Sequence, residues 1–382
     1  MLTRLSDATR STCGGKAATL GVLRRHGVPV PDGFVVPVGE QHTDSGQALR
    51  TAVARELHRL GDPVVAVRSS AANEDTAGAS AAGQYESVIG VRGARDVCEA
   101  ISVCRASARA PRVADYRKRT GGSPHSAAGM AVLVQRVIQA QVSGVLFTPW
   151  QPGDPTRIEA SWGLGIAIVS GTVTPDRYEV APDGSIGCTI GRKELRADPG
   201  HSGVVTSVVA QRTRTARTLD DDTTTALANL GHRIAAVLDG PQDIEWAVVD
   251  GEVWIVQSRP ITAALPAIPA PEAATSSPAL RGTPGSHGAV TAPARIVRGP
   301  SGFRAVRPGE VVVCRYTDPA WTPLFTIVSG VVTETGGSLS HAAIVAREYG
   351  IPAVLGVADA TTRIRTGDRI ALDGTAGTVT VL

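Results

Sequence analysis

In the run Gly336-Gly337-Ser338-Leu339-Ser340-His341, a glycine pair and small hydroxyl residues lead into one histidine. Ala342, Ile344, Val345 and Ala346 suit a short amphipathic helix closed by Gly350 and Pro352, so His341 stands at a helix start. Unpaired N–H groups and the positive dipole end favour an anion there and disfavour a charged imidazolium. A neutral imidazole is a nucleophile, and a phosphate placed on it would be stabilised. The plainer alternative is that Ser340 caps the helix and His341 is a surface residue.

A second group lies on a hairpin. Residues 243–249 and 252–260 are strand-like and flank Asp250-Gly251, a two-residue turn signal. Counting across that turn brings Glu245 and Gln257 near each other, and a carboxylate with an amide oxygen can hold Mg2+, a hard cation that prefers oxygen. Arg259 is two residues beyond Gln257 and so shares its face, where it can meet phosphates bridged by the metal. Two further cations stand beside flexible backbone. Lys16 follows Gly14-Gly15 at the start of a helix with Ala17, Leu20, Val22 and Leu23 inward, and either meets a phosphate or is an exposed turn residue. Arg68 ends the apolar strand Val64-Val65-Ala66-Val67 before Ser69-Ser70 and the small-residue run Ala77 to Gly83. Its planar fork suits phosphate oxygens, and small residues let backbone approach a ligand; the alternative is a structural salt bridge at a strand edge.

The elements that must position these residues alternate strand and helix. Residues 131–137, 144–148 and 157–161 read as strands, Trp162-Gly163-Leu164-Gly165 opens a loop, and the spacing of Leu227, Leu230, Ile234, Ala235 and Leu238 suits an amphipathic helix over 220–238. From residue 282 short strands near 294–297, 309–314, 327–333, 353–356, 369–372 and 378–381 surround the His341 helix as a compact α/β unit of about a hundred residues. Between the two halves, residues 263–281 are rich in Pro, Ala and Ser without period, a linker that reaches roughly 3 Å per residue when extended.

A chain of 382 residues is too long for one ordinary core, so two or three domains are expected. The net charge of +3 carries no nucleic-acid or polybasic membrane signal. No apolar segment is long enough for a membrane span, and the start lacks the apolar core of a signal peptide, so we expect the cytoplasm. Five cysteines, Cys13, Cys98, Cys104, Cys188 and Cys314, show no paired metal spacing and read as reduced small residues. Lysine occurs only at Lys16, Lys118 and Lys193, which singles out Lys16 beside its glycines.

Together these motifs resemble the PEP-utilising enzymes, the family of pyruvate phosphate dikinase, phosphoenolpyruvate synthase and rifampin phosphotransferase. The His341 run matches the phosphohistidine segment, and residues 10–262 resemble the nucleotide-binding domain. The resemblance implies an α/β protein with an ATP-grasp-type domain over 1–262, a flexible linker over 263–281 and a small swivelling phosphohistidine domain over 282–382. It implies that Lys16 and Arg68 bind ATP phosphates, that Gly83 lies in the phosphate loop, and that Gln135 lies near the adenine. It further implies that Glu245 and Gln257 hold magnesium, that Arg259 contacts the transferring phosphate, and that ATP passes its β-phosphate to His341, leaving AMP and inorganic phosphate. Residues 317–325, with Glu334 and the Leu339-Ser340-His341 core, look most like the rifampin phosphotransferase type.

Departures from the pattern also carry expectations. Relatives commonly have Glu after Trp-Gly-Leu-Gly where this chain has Ile166, so one interaction of that loop is altered. They commonly carry Phe before Ala-Gly-Gln where this chain has Ala82 in Ala81-Ala82-Gly83-Gln84, so a side chain that could shield the phosphates is missing. Leu339 replaces a Thr that dikinases phosphorylate for regulation, which argues against that control. Neither type of acceptor domain found in full-length relatives is expected. The acceptor, a hydroxyl or carboxylate, would be held by these two domains or by another protein. An ATP-dependent ligase and a phosphocarrier subunit serving a separate protein are the alternatives to a phosphotransferase acting on a small molecule.

Overall fold

The computed structural model describes residues 1–39, 46–71, 85–109, 129–200, 203–261, 265–266 and 279–382. Gly83, the Ala82 departure and Lys118 lie outside the described residues.

The first sheet has five antiparallel strands in the order Thr3–Arg4, Gly33–Val36, Ala131–Arg136, Val65–Ser70, Ser87–Val91. Helices Gly46–Arg59 and Gly93–Ser107 bury Val53, Leu57, Val97 and Ile101 against Phe34, Val36, Val132 and Val134. On the other face Leu20 and Leu23 of helix Arg10–Arg25 meet Val35, Ala131 and Leu133. Burial on both faces explains why residues 131–134 are apolar without alternation.

The second sheet is also antiparallel, in the order Glu252–Pro260, Gln242–Val249, Val142–Phe147, Thr156–Trp162, Asp176–Val180, Ile186–Thr189. One of its faces packs Leu146, Ile158, Tyr178, Ile244 and Trp246 against Leu227, Ala228 and Ile234 of helix Asp221–Val237. Asp220 caps that helix by accepting the Thr223 N–H at 2.8 Å, and Asp221 and Asp222 complement its dipole. Residues 186–208, where the sequence pattern says little, add the edge strand Ile186–Thr189 and the hairpin Leu195–Pro199 with Val204–Val208. The loop expected after Trp162 holds a short helix, Ile166–Val169.

The third sheet, in residues 280–381, has the order Leu280–Arg281, Thr378–Val381, Arg369–Asp373, Ala289–Ile296, Val311–Cys314, Gly330–Thr333, Ala353–Leu355, Thr283–Ser286. Its central pairs from Ala289–Ile296 to Ala353–Leu355 are parallel. Helix His341–Tyr349 makes the crossover between Gly330–Thr333 and Ala353–Leu355, which sets His341 beyond the carboxyl end of a parallel strand, where open α/β sheets form sites. Leu280 and Arg281, read from sequence as the end of the linker, already pair with Val379 and Thr378. The third sheet therefore begins two residues earlier than composition suggests.

Lys193 has a structural role. It and Asp176 are both fully buried and paired, and Asp176 also accepts the Gly191 N–H at 2.8 Å and the Thr218 N–H at 2.9 Å. Asp176→Ala strands a buried ammonium, so we expect a loss of about 3–5 kcal/mol in urea unfolding of this chain. A loss under about 1 kcal/mol would contradict the clamp.

Candidate active site

The geometry of the site starts from an irregularity in the hairpin. Asp250 and Gly251 take positive φ values of 51° and 80°, as a tight primed turn requires, and Trp246 pairs with Ile255 in flush register. Unbroken register would set Glu245 opposite Val256. A shift between Glu245 and Trp246 instead pairs Glu245 with Gln257, and Asp243 then pairs with Arg259. The expected proximity of Glu245 and Gln257 is realised, through a bulge that the residue count does not reveal.

That register extends across the sheet. On the face opposite the helix Asp221–Val237, Gln257, Glu245, Val145, Glu159 and Arg177 form one cross-strand row. Arg259, Asp243, Phe147, Arg157 and Glu179 form the next row. Arg259 Nε donates to Asp243 Oδ2 at 2.7 Å, and Arg157 pairs with Glu179 at 3.3 Å. Two neighbouring rows of charge on one partly buried sheet face are costly to desolvate, and such arrangements mark sites.

Arg68 reaches this face from the first sheet. Its Nη1 donates to Val256 O at 2.8 Å, while Nη2 contacts Gln257 Oε1 and lies 3.5 Å from Glu245 Oε2. Sequence reasoning left Arg68 between a phosphate ligand and a salt bridge; here it bridges the two sheets at the expected cation site. Glu245 and Gln257 converge on one cationic nitrogen, so this donor set is arranged to hold positive charge. Two oxygens suit Mg2+, which takes one or two carboxylates and completes its shell with phosphate and water. No group of three or more His, Cys, Asp or Glu side chains that could hold a metal occurs among the described residues.

A cleft of about 260 Å³ opens between the sheets beside this point. Arg68 and Glu245 line its charged end, and Ile89, Val137, Ile138 and Leu164 its apolar part. Gln135 is buried in its wall and donates to Pro31 O at 3.2 Å. An aromatic base suits the apolar part while phosphates suit the charged end. Ile166, 42% exposed, also lines the cleft, so the altered interaction of the Trp-Gly-Leu-Gly loop falls here.

Lys16 lies past a break in helix Arg10–Arg25 at Gly14, where φ is 77°. A Cβ at Gly14 would collide with the Ser70 carbonyl, so glycine permits the close approach. Gly15 N–H donates to Ala71 O at 2.9 Å and Ala17 N–H to Ser70 Oγ at 3.2 Å. The Lys16 backbone is thereby fixed beside the end of the strand that bears Arg68.

His341 begins helix His341–Tyr349, which Gly350 closes at φ 65° as its sequence requires. Ser340 makes no side-chain cap, its Oγ has no hydrogen-bond partner, and His341 is only 6% exposed, so the surface-residue alternative is excluded. His341 Nδ1 is 2.9 Å from Thr317 Oγ1, Nε2 is 3.5 Å from Thr322 Oγ1, and Phe325 packs edge-on. Burial pushes the imidazole down to about 4, so the ring is neutral at physiological pH. Glu334 is a structural partner, its Oε1 accepting the Thr361 N–H at 2.8 Å.

The His341 loop rests on the charged sheet face. Thr335 Oγ1 donates to Gly171 O at 2.6 Å, Gly336 N–H to Val173 O at 3.1 Å, and Ser338 N–H to Glu159 Oε1 at 2.7 Å. Leu339 is buried with Val145, Phe147, Ala167 and Val173. Half-buried Arg347, on the His341 helix, donates to Ser338 O at 2.8 Å and feels Asp243, Glu159 and Arg259; desolvation pushes it down to about 10. Arg68, Gln135, Glu245, Gln257 and Arg259 thus lie on the two sheets about the cleft, the Lys16 backbone stands beside Ser70, and the loop leading to His341 is docked on the face that bears Glu245. Sequence reasoning missed Glu159, Asp243 and Arg347. Period-two spacing from Glu245 points to Asp243, whereas only the domain contact reveals Glu159 and Arg347.

Residues 41–277 match the family described as pyruvate phosphate dikinase, AMP/ATP-binding domain, and residues 306–377 the PEP-utilising enzyme, mobile domain. The chain belongs to this family of PEP-utilising enzymes, and most of the paired sheets with the cleft between them falls in its AMP/ATP-binding domain. It is 34% identical over 418 residues to a probable phosphoenolpyruvate synthase of Methanothermobacter thermautotrophicus, covering 96% of this chain and 61% of that one. It is 37% identical over 358 residues to the phosphoenolpyruvate synthase of Pyrococcus furiosus, covering 88% and 44%. The chain therefore spans less than two thirds of the length of these relatives. A solved D-alanine–D-alanine ligase from Coxiella burnetii overlaps 65% of this chain and 47% of its own at 13% identity and a TM-score of 0.31, a likeness too loose to add weight.

The buried imidazole sets a pH signature. Unfolded, His341 takes the ordinary value of 6.5; folded, it titrates at about 4. Between these values the unfolded chain binds a proton that the folded chain excludes, so this contribution is intact above pH 6.5 and lost as pH falls toward 4, about 3 kcal/mol in all. Urea unfolding at pH 7.5 and 4.5 should cost the native chain more stability than His341→Gln. Equal losses would contradict a buried neutral imidazole.

Proposed function

We propose that this chain is an ATP-dependent dikinase-type phosphotransferase in which His341 carries the phosphoryl group. The single observation that carries the reading is a buried, neutral imidazole whose leading loop is docked on the sheet face that bears Glu245, Gln257 and Arg259. In this scheme an ATP-binding unit extends to about residue 262, and the phosphohistidine unit follows the linker.

His341 Nε2 attacks the β-phosphorus of ATP, because Nδ1 is held at 2.9 Å by Thr317. The bond from that phosphorus to the α-phosphate oxygen breaks and AMP leaves; water then cleaves the β–γ link, releasing inorganic phosphate and leaving one phosphoryl group on the ring. Glu245 and Gln257 would hold Mg2+, which supplies neutralisation of the phosphate oxygens. Lys16, Arg68 and Arg259 add positive charge, and Gln135 borders the base. Burial keeps the ring neutral, donation from Nδ1–H to Thr317 Oγ1 leaves Nε2 as the unprotonated nitrogen, and docking of the His341 loop supplies alignment. The phosphoryl group next passes to a small-molecule hydroxyl or carboxylate acceptor, or to one held by a separate protein. The names of the relatives make phosphoenolpyruvate the first product to seek.

A cytoplasmic setting fits ATP chemistry and free cysteines, and no described helix is long and apolar enough to cross a membrane. Nothing in the charge suggests nucleic acid as a partner.

Incubation with Mg2+ and ATP labelled at the β or γ position tests the scheme without any acceptor. We expect AMP, free γ-phosphate and acid-labile β-label on the protein that is lost in His341→Ala, and labelling at least ~100-fold slower in Glu245→Ala from weakened electrostatic stabilisation. ADP as sole nucleotide product, or equal labelling of His341→Ala, would overturn it.

A further inference from the structure

Glu159 lies outside the nucleotide cleft yet is 4% exposed, in the row with Glu245 and Gln257. Its Oε1 accepts the Ser338 N–H at 2.7 Å, three residues before His341, and its Oε2 is buried with no hydrogen-bond partner. Gly337 packs directly on the carboxyl group, and a Cβ there would collide with both carboxylate oxygens. The Gly336-Gly337 pair is thus explained by contact with Glu159 as well as by turn geometry, since Gly336 has φ 109°. Arg177 on the next strand and Arg347 on the His341 helix face the same carboxyl, while burial pushes it above the ordinary carboxylate range.

We propose that Glu159 is a positioning residue, which sets the register of the His341 loop on the ATP-binding sheet and leaves the dock able to open. This rests on the reading of His341 as phosphoryl carrier. Register comes from the directional bond to Ser338 N–H, which the apolar contact of Leu339 cannot supply by itself. Reversibility comes from Oε2: docking strips water from an oxygen that gains no partner, and this offsets part of the gain from burying Leu339. A carrier that must leave for an acceptor needs a seat that is specific but not permanent.

The test uses the full chain, reading the single-turnover rate of His341 labelling from β-labelled ATP together with small-angle scattering. Glu159→Ala should slow labelling about tenfold or more at saturating ATP, leave the KM for ATP within about twofold, and give a more extended particle. Glu159→Gln keeps an acceptor for Ser338 N–H and should restore most of the rate. Gly337→Ala disturbs the seat from the other domain, away from the Glu159 strand, and should reproduce the slow rate and the extension. Labelling of Glu159→Ala or Gly337→Ala at the native rate, or a raised KM with unchanged rate, would overturn the seat. If the native chain took no label, the carrier reading would fall, and scattering would decide the seat: extension of the variants supports it, an unchanged particle overturns it.

Discussion

The active face depends on strand register in the six-stranded sheet. A one-residue slip in an antiparallel sheet sends every side chain to the other face. Here the shift between Glu245 and Trp246 aligns Glu245 with Gln257 and Asp243 with Arg259, and pairing through Val145 and Phe147 adds Glu159 and Arg157 to the same rows. The opposite face is fixed by Trp246, Ile244 and Ile158 in the apolar core under helix Asp221–Val237. Packing on one side thus holds charge on the other.

This arrangement gives one surface two occupants. At one end Arg68 crosses from the first sheet to meet Glu245 and Gln257, closing the nucleotide cleft. Farther along, Glu159, Phe147 and Val145 receive the loop that leads to His341. Attack on phosphorus, as proposed, needs a neutral histidine, and burial under Thr317, Thr322 and Phe325 keeps it so. The segment Pro319–Thr326 supplies two of these contacts, Thr322 and Phe325, and so positions the ring as well as shielding it.

Much of this was legible in the sequence, for physical reasons. The Asp250-Gly251 turn and its alternating flanks define a hairpin on local grounds, and the His341 helix has clear start and stop signals at Ser340 and Gly350. Gly14 could be read as a turn, although the helix in fact begins earlier, at Arg10, and breaks there. The bulge that aligns Glu245 with Gln257 leaves no mark in a residue pattern, because it arises from packing. Glu159 and Arg347 carried no signal, since their contacts exist only where segments far apart in the chain come together. Lys193 drew notice for its rarity and proved to be a buried partner of Asp176, a reminder that an unusual residue can serve stability alone.

The central claim proposed is that His341, and no other side chain, becomes covalently phosphorylated from the β-position of ATP. Peptide mapping by mass spectrometry under conditions that preserve phosphohistidine, after brief reaction with ATP carrying an oxygen isotope on the β-phosphate, addresses it directly. The account predicts one isotope-bearing phosphoryl group on the peptide containing His341. A phosphoryl group without the isotope, or one carried by any other peptide, would contradict it.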